Sequence, residues 1–107
     1  MIARRWRGKT RAADFDAYLA YLEGSGIAAL RATAGNEGVV VFRHLDESTE
    51  TTEFEVVSYW RDLADIKAFA GGDVSVARFF PDDDRYLVDR ELTVRHDVAD
   101  TYPAIGG

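Results

Sequence analysis

The chain contains no cysteine. Disulfides, thiolate nucleophiles and cysteine-held zinc or iron–sulfur centres are therefore excluded, and the lack of thiols fits a reducing compartment. Histidine is scarce too: His44 and His96 are far apart, and neither has a second histidine at metal-ligand spacing. No run approaches the roughly 18 apolar residues of a membrane-crossing helix. Met1-Ile2-Ala3-Arg4-Arg5 opens without the apolar stretch of a secretory signal, so the cytoplasm is the expected location. Positive charge is also in deficit: 13 Lys and Arg against 19 Asp and Glu leave a net charge of -6. An acidic chain repels phosphate backbones, so neither nucleic acid nor an anionic membrane is an expected partner. The one basic run, Arg4, Arg5, Arg7, Lys9 and Arg11, is interrupted by Trp6 and alternates like a strand. There is no Gly-x4-Gly-Lys phosphate loop, no Gly-x-Ser-x-Gly elbow and no recognisable Ser-His-Asp arrangement, so nucleotide-dependent chemistry has no support. Asp82-Asp83-Asp84 lacks the spaced ligands and closing Glu of a calcium loop and reads as a solvated acidic turn. No metal site is expected.

What is present suits one domain. The length is 107 residues, with 47% hydrophobic and 30% charged, an ordinary globular balance. Residues 1–9 alternate loosely and predict a first strand, after which Thr10 is placed to cap the next segment. Phe15, Tyr18, Leu19 and Leu22 recur at i, i+3, i+4 and i+7, one apolar face of a helix that Gly24 and Gly26 should stop. Residues 27–34 predict a short connecting turn, and Gly35-Asn36-Glu37-Gly38 a tight one. Residues 39–45 predict the clearest strand, apolar without alternation from Val39 to Phe42, and 46–52 a polar hairpin loop. From Glu53 to Trp60 alternation is clean: Phe54, Val56, Ser58 and Trp60 on one face, Glu53, Glu55, Val57 and Tyr59 on the other. Asp62 then starts a second helix whose stripe is Leu63, Ile66, Phe69 and Ala70, closed by Gly71-Gly72. An irregular stretch through Phe79-Phe80-Pro81 leads to a last strand over 86–96.

This order, βαββαβ, predicts an α+β fold of ferredoxin-like type: an antiparallel sheet with both helices on one face. The other face would be bare, yet Val39 to Phe42 put apolar groups on both sides. A second copy related by a two-fold axis is the simplest cover, so a homodimer is expected.

The run Phe54-Glu55-Val56-Val57-Ser58-Tyr59-Trp60, with Leu63, Ile66, Phe69-Ala70-Gly71, Asp73 and Ala77 after it, resembles the centre of the antibiotic biosynthesis monooxygenase domain family. Gly35-Asn36-Glu37-Gly38-Val39 and Thr93-Val94-Arg95-His96 also look like that group. The resemblance spans residues 1–98 and leaves 99–107 as a tail. It implies a dimeric α+β barrel, two ferredoxin-like sheets packed face to face. It further implies a cofactor-independent, quinone-forming monooxygenase with a small aromatic or quinol-like substrate between helices and sheet. Trp60 matches the family's tryptophan at the strand end. The family's asparagine has no evident counterpart, since the only Asn is Asn36 in a turn. The haem-degrading branch would need a histidine where this chain has Arg78-Phe79-Phe80, so haem chemistry is not expected.

Candidate site residues follow. Trp60 is either a core aromatic or a wall on which a flat substrate stacks. His44, or a tyrosine hydroxyl, would take a substrate proton, although the simpler reading of His44 is a satisfied strand histidine at the sheet margin or dimer interface. His96 reads as surface or interface. Phe69, Arg78, Phe79 and Tyr86 are the expected substrate contacts, with Phe79-Phe80-Pro81 as a lid and Arg78 facing either a substrate oxyanion or the Asp82–Asp84 cluster. The expected function is thus a monooxygenase without cofactor. The alternative is a non-catalytic dimeric small-molecule-binding or accessory domain whose pocket its own aromatics fill.

Overall fold

Side chains alternate along a strand, so the first strand must send Ile2, Arg4, Trp6 and Gly8 to one side and Ala3, Arg5, Arg7 and Lys9 to the other. A computed structural model, describing residues 1–45 and 49–102, shows what each side meets. β1 (Ile2–Arg11) pairs antiparallel with β3 (Thr51–Trp60), from Ile2 opposite Trp60 to Arg11 opposite Thr51. β2 (Asn36–Arg43) lies on the other side of β3. β4 (Leu87–Arg90) and β5 (Arg95–Val98) share the remaining edge of β1. The sheet of five antiparallel-paired strands therefore runs β2-β3-β1 and then β4, with β5 beside it on β1, an order compatible with a ferredoxin-like α+β fold.

The helices pack on the face that carries Phe54, Val56 and Trp60. α1 (Phe15–Gly24) buries Phe15, Tyr18 and Leu22, as its periodicity predicts. α3 (Leu63–Ala70) starts where Asp62 accepts the Asp65 N–H at 3.0 Å and ends at Gly71, whose φ of 90° a side chain would resist. Ile66 and Phe69 are its buried residues; Leu63 stays exposed, because it sits in the first turn before the helix meets the sheet. Phe15, Tyr18, Leu22, Phe54, Trp60 and Ile66 form the centre of one core.

Several boundaries depart from the sequence expectations. Residues 27–34 are not a connecting turn: α2 (Gly26–Ala32) follows α1 after a break at Ser25, and Leu30 anchors it in the core. The Ser25 hydroxyl donates to Tyr21 O at 2.7 Å, which ends one helix while Gly26 begins the next. Thr10 caps no helix; it lies within β1, and its hydroxyl donates to Arg11 O. Asn36 already belongs to β2, which has a bulge at Asn36–Gly38. The final strand over 86–96 is two strands, because residues 92–94 leave β1 to pair with 75–77: Ala77 N–H donates to Leu92 O and Val94 N–H to Ser75 O, each at 2.9 Å. The acidic turn contains a short helix, α4 (Asp83–Tyr86). Of the expected 46–52 loop, residues 46–48 lie outside the described residues, as do 103–107 of the tail. No helix is long and apolar enough to cross a membrane.

The sheet face away from the helices is mixed. Val40 and Phe42 of β2 are 41% and 47% exposed, and Val57 between the strands is fully buried. Beside them an ion-pair ladder joins Arg5 to Glu55 at 3.0 Å, and Arg7 to Glu53 and Glu91. On β2 only Val40 and Phe42 face this way, fewer than the unalternating run from Val39 to Phe42 predicts, since Val39 and Val41 turn to the helix side and pack against the core.

Gly8 lies on the helix side of β1, where a Cβ would stand 2.8 Å from the Phe54 ring and 3.1 Å from Trp6. Gly8→Ala should therefore destabilise the chain by about 1–3 kcal/mol through overpacking, outweighing the entropy a strand glycine costs. Urea unfolding checks this: the midpoint should fall with an unchanged m value, and an equal or higher midpoint contradicts the packing described.

Candidate functional site

Under α1 and α2 the helix-side face of the sheet is not filled completely. Trp6 of β1, Val56 of β3, Leu22 and Leu30 of the helices, Phe69 of α3 and Phe80 wall a cleft with room of about 60 Å³. That is space for about two waters, so a bound molecule would seat a small group inside and rest its body at the mouth. The apolar walls carry a few converging polar groups: Arg4, Ser58 and Arg78 on one set of elements, Tyr18 and Asp83 on another.

Arg4 is the unexpected member. It shares the strand face of Ile2 and Trp6 and is only 4% exposed. Its guanidinium donates to Val74 O at 2.5 Å and Val76 O at 3.1 Å, and meets His96 Nε2 at 3.2 Å. Arginine has no acceptor, so that last contact requires His96 Nε2 to accept and places the imidazole proton on Nδ1. Burial pulls the guanidinium down to about 10. Burial, and then Arg4 beside it, lower the His96 imidazole from its ordinary value. His96 is therefore a neutral prop for Arg4, half-buried on β5 rather than a plain surface residue.

Opposite, the Tyr18 hydroxyl donates to Asp83 Oδ1 at 3.0 Å, and Asp83 Oδ2 accepts the Phe80 N–H at 2.7 Å. Asp83 is 3% exposed, so the reading of Asp82–Asp84 as a wholly solvated turn is corrected: its middle residue turns inward to satisfy a phenol that would otherwise be buried unpaired. Burial first, then the Asp83 charge, push the Tyr18 phenol far above its usual range. Tyr18 therefore stays protonated, a fully buried donor to Asp83.

The residues singled out from sequence scatter. Phe69 and Arg78 line the cleft. Arg78 stacks over Phe69 and Phe80, 4.8 and 4.9 Å from the ring centres, and donates to Phe69 O. Among the described residues it is Arg90, not Arg78, that pairs with Asp84. Phe79 points the other way, edge-on to Trp6 and under Arg90. Tyr86 packs on Tyr18 and Tyr21, behind the cleft wall. Trp60 is fully buried, its indole N–H donating to Ser58 Oγ at 2.8 Å; it supports the wall through Phe69 instead of facing the space. His44 follows the last residue of β2, exposed, its N–H on Glu53 O. Glu53 and Trp60 stand seven residues apart on β3, so His44 and Trp60 are separated by about 23 Å of strand. Phe80-Pro81 is tied down by Asp83, a fixed wall more than a hinged lid.

Arg4, Tyr18 and Asp83 were missed as site residues. The signal for Arg4 was its parity: a charge on the same side as Ile2 and Trp6 must be buried or snorkel. Asp83 carried no local signal, since its partner is 65 residues away. Among the described residues no group of three or more His, Asp or Glu is arranged to hold a metal ion. Comparison with protein-family models and with curated proteins finds no match for this chain.

Two expectations follow. Tyr18→Phe removes one of the two donors to buried Asp83 and should cost about 1–3 kcal/mol in chemical unfolding; an unchanged midpoint would mean the bond contributes nothing. His96 titrates below its unfolded value near roughly 6.5, so the unfolded chain binds more protons in that window. Stability should be full above about pH 6.5 and decline as pH falls toward 5, and His96→Gln, which keeps an acceptor, should flatten that decline in a midpoint-against-pH series.

Proposed function

We propose that this chain is a cofactor-independent monooxygenase of the antibiotic biosynthesis monooxygenase type, a homodimeric ferredoxin-like domain acting on a small aromatic or quinol-like molecule. The observation that carries the reading is the apolar cleft on the helix side of the sheet, with the buried Tyr18–Asp83 pair in its wall. A hydroxyaromatic that seats its O–H in the inner space donates it to the Tyr18 oxygen while the Tyr18 proton passes to Asp83. The substrate becomes an anion and Asp83 a neutral acid. In an apolar, poorly hydrated site that anion is electron-rich and reacts with dioxygen: one oxygen atom becomes a carbonyl at a ring C–H carbon, and the other leaves as water with that hydrogen and the hydroxyl proton returned by Asp83. A tyrosine hydroxyl thus supplies the proton acceptor, a role that His44, outside the cleft, is badly placed to fill. Exposed Val40 and Phe42 support a second copy against the outer sheet face, with the ion-pair ladder alongside.

A second reading, a non-catalytic binding or accessory domain, is favoured by one observation: Trp60 is sealed in the core and the free space is small.

Oxygen uptake with a panel of anthrones and hydroquinones separates the two. Wild type should consume oxygen, Tyr18→Phe and Asp83→Asn should lose roughly 100-fold or more, and His44→Ala should stay near wild type. No uptake across the panel decides for the binding domain. Sedimentation at micromolar concentration should return twice the 11.9 kDa chain mass, and a lone chain would remove the dimer.

A further inference from the structure

Among the described residues, Arg4 is a buried cation with no hydrogen bond to an acid. Its three hydrogen bonds go to two backbone carbonyls and a neutral imidazole, and Phe69 lies 5.9 Å under it. None of these carries negative charge. Burial lowers its proton affinity. The acid in the same cleft, Asp83, is engaged by Tyr18 and the Phe80 N–H. Burying a charge without a counter-charge is costly, and a ligand that supplies one relieves that cost. Three of the five guanidinium N–H groups are used, which leaves two for a ligand, and the three bonds hold the fork still before any ligand arrives.

We propose that the cleft selects small flat aromatic acids, the ligand carboxylate supplying the missing counter-ion of Arg4. The carboxylate enters the narrow inner space, whose volume suits a group of a few atoms. The ring then rests at the mouth among Phe69, Phe80 and the Arg78 guanidinium, which already stacks on both rings. His96 tunes the site from behind: it accepts from Arg4 only while neutral, so its protonation would set a second cation against the first. The inference rests on the cleft named above as the substrate site, not on oxygen chemistry.

Calorimetric titration of the full-length chain with benzoate, and with benzyl alcohol as its neutral counterpart, tests this. Benzoate should bind wild type at least about tenfold tighter than benzyl alcohol, since hydrogen bonds to a charged group discriminate by that order. Arg4→Met should weaken benzoate by roughly 10- to 100-fold and leave benzyl alcohol within about twofold. The wild-type comparison stands even if that variant misfolds. Equal affinities for the two probes, benzoate binding unaltered in Arg4→Met, or no benzoate heat up to about 10 mM each overturn the inference. Selective benzoate binding with no oxygen uptake from any anthrone would keep it and defeat the monooxygenase reading. Uptake with neutral anthrones but no benzoate binding would do the reverse.

Discussion

Ten consecutive antiparallel pairs between β1 and β3 set everything else in this molecule. Because side chains alternate, that one register fixes which residues share a face: Ile2, Arg4, Trp6 and Gly8 with Trp60, Ser58, Val56 and Phe54. A slip by one residue would turn Phe54 and Trp60 to the outer face and bring Glu53 and Glu55 under the helices. Trp60 alone, at full burial, makes that alternative costly by several kcal/mol, and the Arg5–Glu55 and Arg7–Glu53 pairs on the other side reinforce the same register.

The same register creates the molecule's electrostatic tension. It places Arg4 inward, where its charge is desolvated, and the chain answers by bringing 74–76 and His96 to it. The break between β4 and β5 is part of that answer. Residues 92–94 leave β1 to pair with 75–77, and this carries the carbonyls of Val74 and Val76 over the arginine. Across the cleft, Tyr18 and Asp83 solve a similar problem by neutralising a buried phenol's hydrogen-bonding demand. A cleft with a cation at one side and a Tyr–Asp pair at the other is the chemically distinctive part of the structure, and it lies on the helix side of the sheet.

Much of the scaffold was legible in the residues. The i, i+3, i+4, i+7 pattern of α1, the alternation of β3, the Asp62 cap and the Gly71 stop are local signals, each set by a few neighbouring side chains, and each is where the pattern put it. Reading α2 as a turn failed because Gly24 and Gly26 look like terminators, whereas Ser25 does the breaking and Gly26 restarts the helix. Reading 86–96 as one strand failed because the competing partner, 75–77, has no strand pattern of its own.

The site was less legible than the scaffold. Phe69 and Arg78 were marked and do line the cleft, but Trp60 and His44 were chosen for their chemistry and their strand-end positions, and the fold sends one into the core and the other to the rim. By itself the sequence determined α1, β3 and α3, the helix-facing side of β3 and an acidic chain without thiols, because these depend on composition and on spacings of two to four residues. Only the tertiary structure decided that Arg4 bonds carbonyls and His96 and that Asp83 meets Tyr18. Those facts are distances between residues some 65 to 90 positions apart, and no short-range period encodes them.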